Sequence, residues 1–384
     1  MSNRLRGWFR RKTELLRSRS QNKNPTEDPN VLPQLPVQRA FALTPSPSRE
    51  HLLASSASSP FFRLLPMEVR RLVLIEAFGD RTVHVDFVFD HPVLYLSDEG
   101  ARRGGSHCGI DVGSDYWRKR DTTKPKAWRW FSCVCHRDFE WCVRGEGLIS
   151  EPYDDTCLAG TAGCCRGWPG VMPDKCFVGV MGWLLACRQA YVEGISVIYS
   201  TNNFHISNSD MIHTLPNLIR AKHREMITSV EMVLQFKPDS RESGLSDFNA
   251  LLQGVPDAFP RLRNLYIYPV DIWKFPGLNP DDHGTELVTE ILELVDAMVR
   301  RLGPQLRVCD IAIPFRKFHS QWVSGIEKGY KYEHSGCTRL SRRIGRPLAP
   351  LQQDNEGEQL VESGYWIREG PDDTPYPFAH MVPV

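Results

Sequence analysis

The stretch Leu262-Arg263-Asn264-Leu265-Tyr266-Ile267-Tyr268-Pro269-Val270, followed by Glu286–Leu302 and then Leu306–Ile313, decides the fold class. The two outer segments are short runs of apolar and β-forming residues, as buried strands require. Between them Leu287, Ile291, Leu294, Val295 and Met298 recur at helical spacing, and Gly303-Pro304 ends the helix. Strand, helix, strand in that order predicts an α/β fold, with a mostly parallel or mixed sheet carrying packed helices.

Working outward, Ile227–Phe236 reads as a strand and Phe204-His205-Ile206 as a shorter one. The segment Val180–Tyr199 reads as a core helix, with Leu184, Cys187, Tyr191, Ile195 and Ile198 on one face and Gln189, Glu193 and Ser196 on the other. Arg188 and Glu193 lie five residues apart and do not share a face, so each is expected to pin a neighbouring loop or strand end. Tyr199 and Asn202, at the helix exit, are expected to bond its exposed carbonyls. Phe259–Ile267 also resembles a leucine-rich-repeat strand, but the intervals are irregular and longer than roughly 20 to 29 residues, so a solenoid is the second choice.

Nearer the N-terminus, a helix is predicted from Pro66, suited to a first helical position, to Gly79, suited to a left-handed stop. Leu72–Ile75 are apolar all round, which calls for cover on more than one side and makes this helix foremost a structural part of the domain. Thr82–Phe89 and Val93–Leu96 then read as a hairpin. Residues 97–176 are rich in Gly, Trp and Cys with weak periodicity, a long irregular insertion. After Leu340 the chain is polar, with one strand at Gly364–Arg368.

These readings divide the chain into a basic head and Pro/Ser linker (1–59), an α/β domain (60–340) with the Cys-rich insertion at 97–176, and a polar extension (341–384). The head carries Arg4, Arg6, Arg10, Arg11, Lys12, Arg17, Arg19 and Lys23 against a single acid, Glu14. It fits a surface-seeking helix, a nuclear or mitochondrial targeting signal, or a disordered tail. It lacks the apolar core of a secretory signal, so the expected compartment is intracellular and reducing: cytoplasm or nucleus, or mitochondria if the arginines act as a transit peptide.

Forty-seven basic residues against 46 acidic ones leave a formal charge of +1, which gives nucleic acid no overall field to follow. The longest apolar run, Phe177–Cys187, is shorter than the roughly 18 residues of a membrane span. With 41% hydrophobic residues in 384, a sizeable core is expected.

Taken together, Leu65-Pro66-Met67-Glu68-Val69-Arg70, Cys133-Val134-Cys135-His136-Arg137, the run Leu184–Glu193, the run Ile198–Phe204 and Ile227–Met232 resemble a large fungal family known only as a domain of unknown function. The resemblance covers roughly residues 60–320 and marks the opening helix as F-box-like. F-box domains begin with a Leu-Pro-x-Glu helix that binds the Skp adaptor of cullin-based ubiquitin ligases. Leu65, Pro66, Glu68 and Leu72 are therefore the candidate partner-binding residues, and a Skp-type adaptor is the partner the resemblance implies. After Gly79 the sequence turns to strands, where an F-box continues with two more helices.

No phosphate loop, dinucleotide fingerprint, nucleophile elbow, HExxH helix or EF-hand loop occurs. No catalytic, cofactor-binding or metal-ligating residue is assigned. The one constellation with chemical potential is His107, Cys108, Cys133, Cys135, His136, Cys142, Cys157, Cys164, Cys165 and Cys176. It could hold a structural zinc, but Cys133-x-Cys135 and the adjacent Cys164-Cys165 are not the usual knuckle spacings, and buried free thiols are the plainer reading. Trp128, Trp130, Trp141 and Trp168 serve as partner anchors or as the insertion's own core, the latter preferred. A non-enzymatic protein-interaction module with F-box-like character is thus expected, with a zinc-stabilised binding module as the alternative and an enzyme third.

Overall fold

The computed structural model describes residues 32, 59–94, 119–137, 151–155, 174–236, 240–270, 272, 285–334, 342–348 and 364–371. The basic head, all of the Pro/Ser linker but Leu32 and Ser59, and most of the Cys-rich insertion lie outside them. In chain order the helices are α1 (Pro60–Leu64), α2 (Met67–Phe78), α3 (Met181–Leu184), α4 (Arg188–Thr201), α5 (Ser209–Leu218), α6 (Ala221–Arg224), α7 (Arg241–Ala258), α8 (Thr285–Leu302) and α9 (Phe315–Glu327). The strands are β1 (Thr82–Asp90), β2 (Ala127–Val134), β3 (Asn203–Ile206), β4 (Ser229–Gln235), β5 (Asn264–Val270), β6 (Val308–Pro314), β7 (Tyr332–His334), β8 (Arg342–Pro347) and β9 (Gly364–Gly370).

All nine strands form one mixed sheet in the order β2-β1-β3-β4-β5-β6-β9-β8-β7. Strands β1, β3, β4, β5, β6 and β9 run parallel, while β2, at one edge, and β8 lie antiparallel to their neighbours. The parallel strands stand side by side in sequence order, so every crossover steps the same way. Right-handed crossovers that never reverse direction put their helices on one face of the sheet. The packing agrees: α5 lies on α7, α7 on α8 and α8 on α9. The chain is therefore singly wound, as in a solenoid, but without a fixed repeat length.

Period 2 along the strands sorts their side chains between the two faces. Ile206, Met232, Ile267, Ile311 and Ile367 join one core with Leu215, Phe248, Leu252, Ile291, Val295 and Phe318 of the helices. On the opposite face Tyr266, Tyr268 and Ala312 pack with Tyr153 from the insertion. Strands covered on both faces lose the apolar–polar alternation of half-exposed ones, which is why β4 to β6 read as near-continuous runs.

Several expectations change. The partner of β1 is β2, from inside the insertion, paired from Val83↔Val134 to Asp90↔Ala127, whereas Val93 forms only a single bridge with Arg120. The helix expected over Val180–Tyr199 is broken in two. Cys187 is extended there and its sulfur accepts the Ala190 N–H, which makes it the N-cap of α4. Leu72 and Val73, expected to be covered, are 66% and 45% exposed, because only Arg70 and Leu74 of α2 are buried, on the side facing α4. The polar extension contributes β8 and β9, and β9 lies between β6 and β8 within the sheet. Among the described residues, no helix is long and apolar enough to cross a membrane.

Candidate functional site

Two places combine chemistry with position: the outer surface of α2, and a buried polar row on the helix-free face of the sheet.

On α2, Val69, Leu72 and Val73 are spaced i, i+3 and i+4 and so share one stripe, which faces solvent together with Leu64. Leu65 is half-buried, and Pro66 and Glu68 are exposed, as Leu72 is. The inner side is anchored by Arg70. Its Nε and Nη2 donate to Glu193 Oε2 and Oε1 of α4 at 3.0 and 2.8 Å, and its Nη1 donates to the Leu65 carbonyl at 2.6 Å. Glu193, expected to pin a loop or strand end, instead holds another helix, the Leu-Pro helix itself. Asn202 meets its expectation too: its Nδ2 donates to the carbonyls of Ile198 and Phe78, both at 2.9 Å, while its Oδ1 accepts the Arg81 N–H. Tyr199 instead stacks on His223. Beside the anchor runs a groove of ≈ 330 Å³ whose walls include Met67 and Leu74 of α2 and Val192 and Val197 of α4.

The buried row crosses five parallel strands at one register: His84 opposite His205, His205 opposite Glu231, Glu231 opposite Tyr266, and Tyr266 opposite Asp310. All five are buried. Each sits between two apolar residues that point to the helices, as in Val83-His84-Val85, Val230-Glu231-Met232 and Cys309-Asp310-Ile311. This recurring centre was the available sequence signal, but nothing local says that the five centres line up.

The counter-charges come from Arg137 of the insertion and Arg368 of β9. Arg137 Nη1 and Nη2 donate to Glu231 Oε2 and Oε1 at 2.7 and 2.6 Å, and Nη1 also reaches Asp155 Oδ2 at 3.2 Å. Further along, Arg368 Nη1 and Nη2 donate to Glu151 and Asp310 at 2.8 and 3.1 Å. Two arginines thus clamp the 151–155 segment onto the sheet. Burial pushes the Glu231 carboxyl up, but the bonds from His205 Nδ1 (3.1 Å) and Arg137 outweigh it and hold it at about 2. Asn203 Nδ2 adds a third donor at 2.6 Å. At Glu151 burial wins over Arg368, and its carboxyl is raised.

The cysteine constellation is only partly within the described residues. Cys133 and Cys176 are buried together against Val93 and Phe131, and His136 is buried as well. Cys135 Sγ lies 3.1 Å from Asp155 Oδ2, while His84 Nε2 lies 3.3 Å from the same oxygen. His84, Cys135 and Asp155 are the one group among the described residues with ligand atoms placed for a metal ion, all within 4.8 Å of one another. His107, Cys108, Cys142, Cys157, Cys164 and Cys165 lie outside the described residues. Of the tryptophans, Trp128 stacks on Phe87, Trp130 is 48% exposed, and Trp141 and Trp168 lie outside.

No curated protein and no solved structure matches the chain. Residues 172–330, from just before α3 through α9, match the family model described as domain of unknown function (DUF7730), which is consistent with a domain of unknown function over that span and does not reach the Leu-Pro helix.

Proposed function

We propose that the chain is a protein-interaction module whose docking element is α2, with a Skp-type adaptor as its partner. The observation that carries this reading is the outward stripe of Val69, Leu72 and Val73, held on a helix whose opposite side is fastened to α4 by Arg70 and Glu193. An apolar stripe on a firmly anchored helix presents a partner with a surface that needs no further ordering, which lowers the entropic cost of association. Leu65, Pro66 and Glu68 extend the stripe at its N-terminal end, in the Leu-Pro-x-Glu order that led to this partner.

Calorimetric titration of the full chain with a Skp-type adaptor tests the proposal. A complex of micromolar affinity or better is expected, weakened at least about tenfold by Leu72→Ala, the loss of about 1.4 kcal/mol that a contributing interface leucine supplies. The absence of a wild-type complex, or a complex indifferent to Leu72→Ala, removes the adaptor as partner.

A further inference from the structure

We infer that His84, Cys135 and Asp155 form a binding site for a zinc-class divalent ion that ties the insertion to the sheet. The three donors come from separate parts of the chain. His84 belongs to β1, Cys135 follows the end of β2, and Asp155 follows the 3-10 turn Pro152–Asp154. Imidazole nitrogen, thiolate sulfur and carboxylate oxygen together are a ligand set suited to zinc.

The spacing fits. Bonds of about 2.0–2.3 Å in a tetrahedron place neighbouring ligand atoms roughly 3.3–3.6 Å apart. The two separations from Asp155 Oδ2 are 3.3 Å to His84 Nε2 and 3.1 Å to Cys135 Sγ. A shift of a few tenths of an ångström opens the set around an ion. The side chains of His84 and Asp155 are 0% and 2% exposed, so the ion would be held out of bulk water.

Coordination chemistry points the same way: a divalent ion takes the Cys135 sulfur as thiolate, its proton leaving to solvent. Asp155 Oδ2 is also the meeting point of three groups, Cys135 Sγ, His84 Nε2 and Arg137 Nη1. An ion would take the place of the first two contacts and leave Arg137 as the outer support that orients the carboxylate. The competing arrangement is the same three side chains joined by hydrogen bonds alone, with no metal.

Elemental analysis of the full chain, purified reduced and without chelator, decides between them. About one equivalent of zinc is expected in the wild type. Cys135→Ser and Asp155→Asn should each lose it, while Cys187→Ser, which keeps a capping oxygen on α4, should retain it. To keep the test independent of variant folding, cobalt(II) is also titrated into metal-stripped wild-type protein. A thiolate-to-cobalt charge-transfer band with tetrahedral d–d absorption is expected. A folded wild type with neither zinc nor a cobalt–thiolate band, or zinc retained in both variants, overturns the assignment.

Discussion

Arg70 of α2 and Glu193 of α4 meet through two parallel N–H···O bonds of 3.0 and 2.8 Å, across 123 residues of sequence. This pair, with Leu74 behind it, makes α2 part of the domain while its other side stays in solvent.

The two leucines of α2 should therefore differ sharply. Leu74 is 2% exposed, and Leu74→Ala should cost about 2–5 kcal/mol. Leu72 is 66% exposed, and Leu72→Ala should change stability by no more than about 0.5 kcal/mol. Urea denaturation of both variants checks this, and equal losses would contradict the exposure of Leu72.

Asn202 joins the start of β1 to the end of α4, and Asn202→Ala strands two carbonyls and the Arg81 N–H. The expected loss is about 2–3 kcal/mol. Asn202→Asp should not rescue it, because a carboxylate accepts the Arg81 N–H but has nothing to donate to Phe78 and Ile198. Thermal unfolding of the two variants, compared with wild type, provides the measurement.

Gly194 sits where a Cβ would fall 2.7 Å from Trp183 Cδ1 and 3.0 Å from Leu184 Cδ2. Helix propensity favours Gly194→Ala by about 1 kcal/mol, whereas forcing α3 away costs about 1–3 kcal/mol. Net destabilisation is expected. Trp183 also packs edge-on against Phe61 at 5.1 Å, so the same variant should disturb α1. Its tryptophan emission should shift relative to wild type, and the shift should vanish in a Trp183→Phe background.

The folded state holds Glu231 at about 2, below its ordinary 4.5. A carboxyl depressed in this way contributes stability that is complete above the ordinary value and is lost as the pH falls from there towards about 2. The contribution is on the order of 3 kcal/mol. Glu231→Gln should flatten the loss of stability in that acid window. At neutral pH the variant should be less stable by about 3–5 kcal/mol, since Arg137 stays buried with one partner fewer. Denaturant titrations from about pH 6 down to about pH 2.5 check both; an unchanged acid profile would contradict the account.

Much of the sheet was legible because its signals are local. Glu286–Leu302 was read within one residue of α8, Leu262–Val270 contains β5, and Leu306–Ile313 covers β6 except for Pro314. The middles of β5 and β6 are buried and α8 buries one face, so hydrophobic period and stop residues agree. Helix α7 went unread because Gly244, Gly254 and Pro256 interrupt it, although Ser240 and Ser243 form a capping box at its start. Strand β2 was hidden in the insertion, where Arg129 interrupts the aromatic run and only Cys133 and Val134 are buried.

The sequence by itself determined the α/β class, a mostly parallel or mixed sheet and the presence of the Leu-Pro helix, since hydrophobic period follows from which residues avoid water; the left-handed residue after that helix is Asp80, whereas Gly79, expected there, is extended. Only the tertiary structure decided that His84, His205, Glu231, Tyr266 and Asp310 share one register, and that Arg137 and Asp155 descend on them from a distant segment. It also decided that Leu72 faces solvent although its neighbours are apolar all round. Local sequence shows what a side chain prefers to touch. Whether anything covers it depends on strand order and on the reach of elements far along the chain, and those are set by the packing of the whole domain.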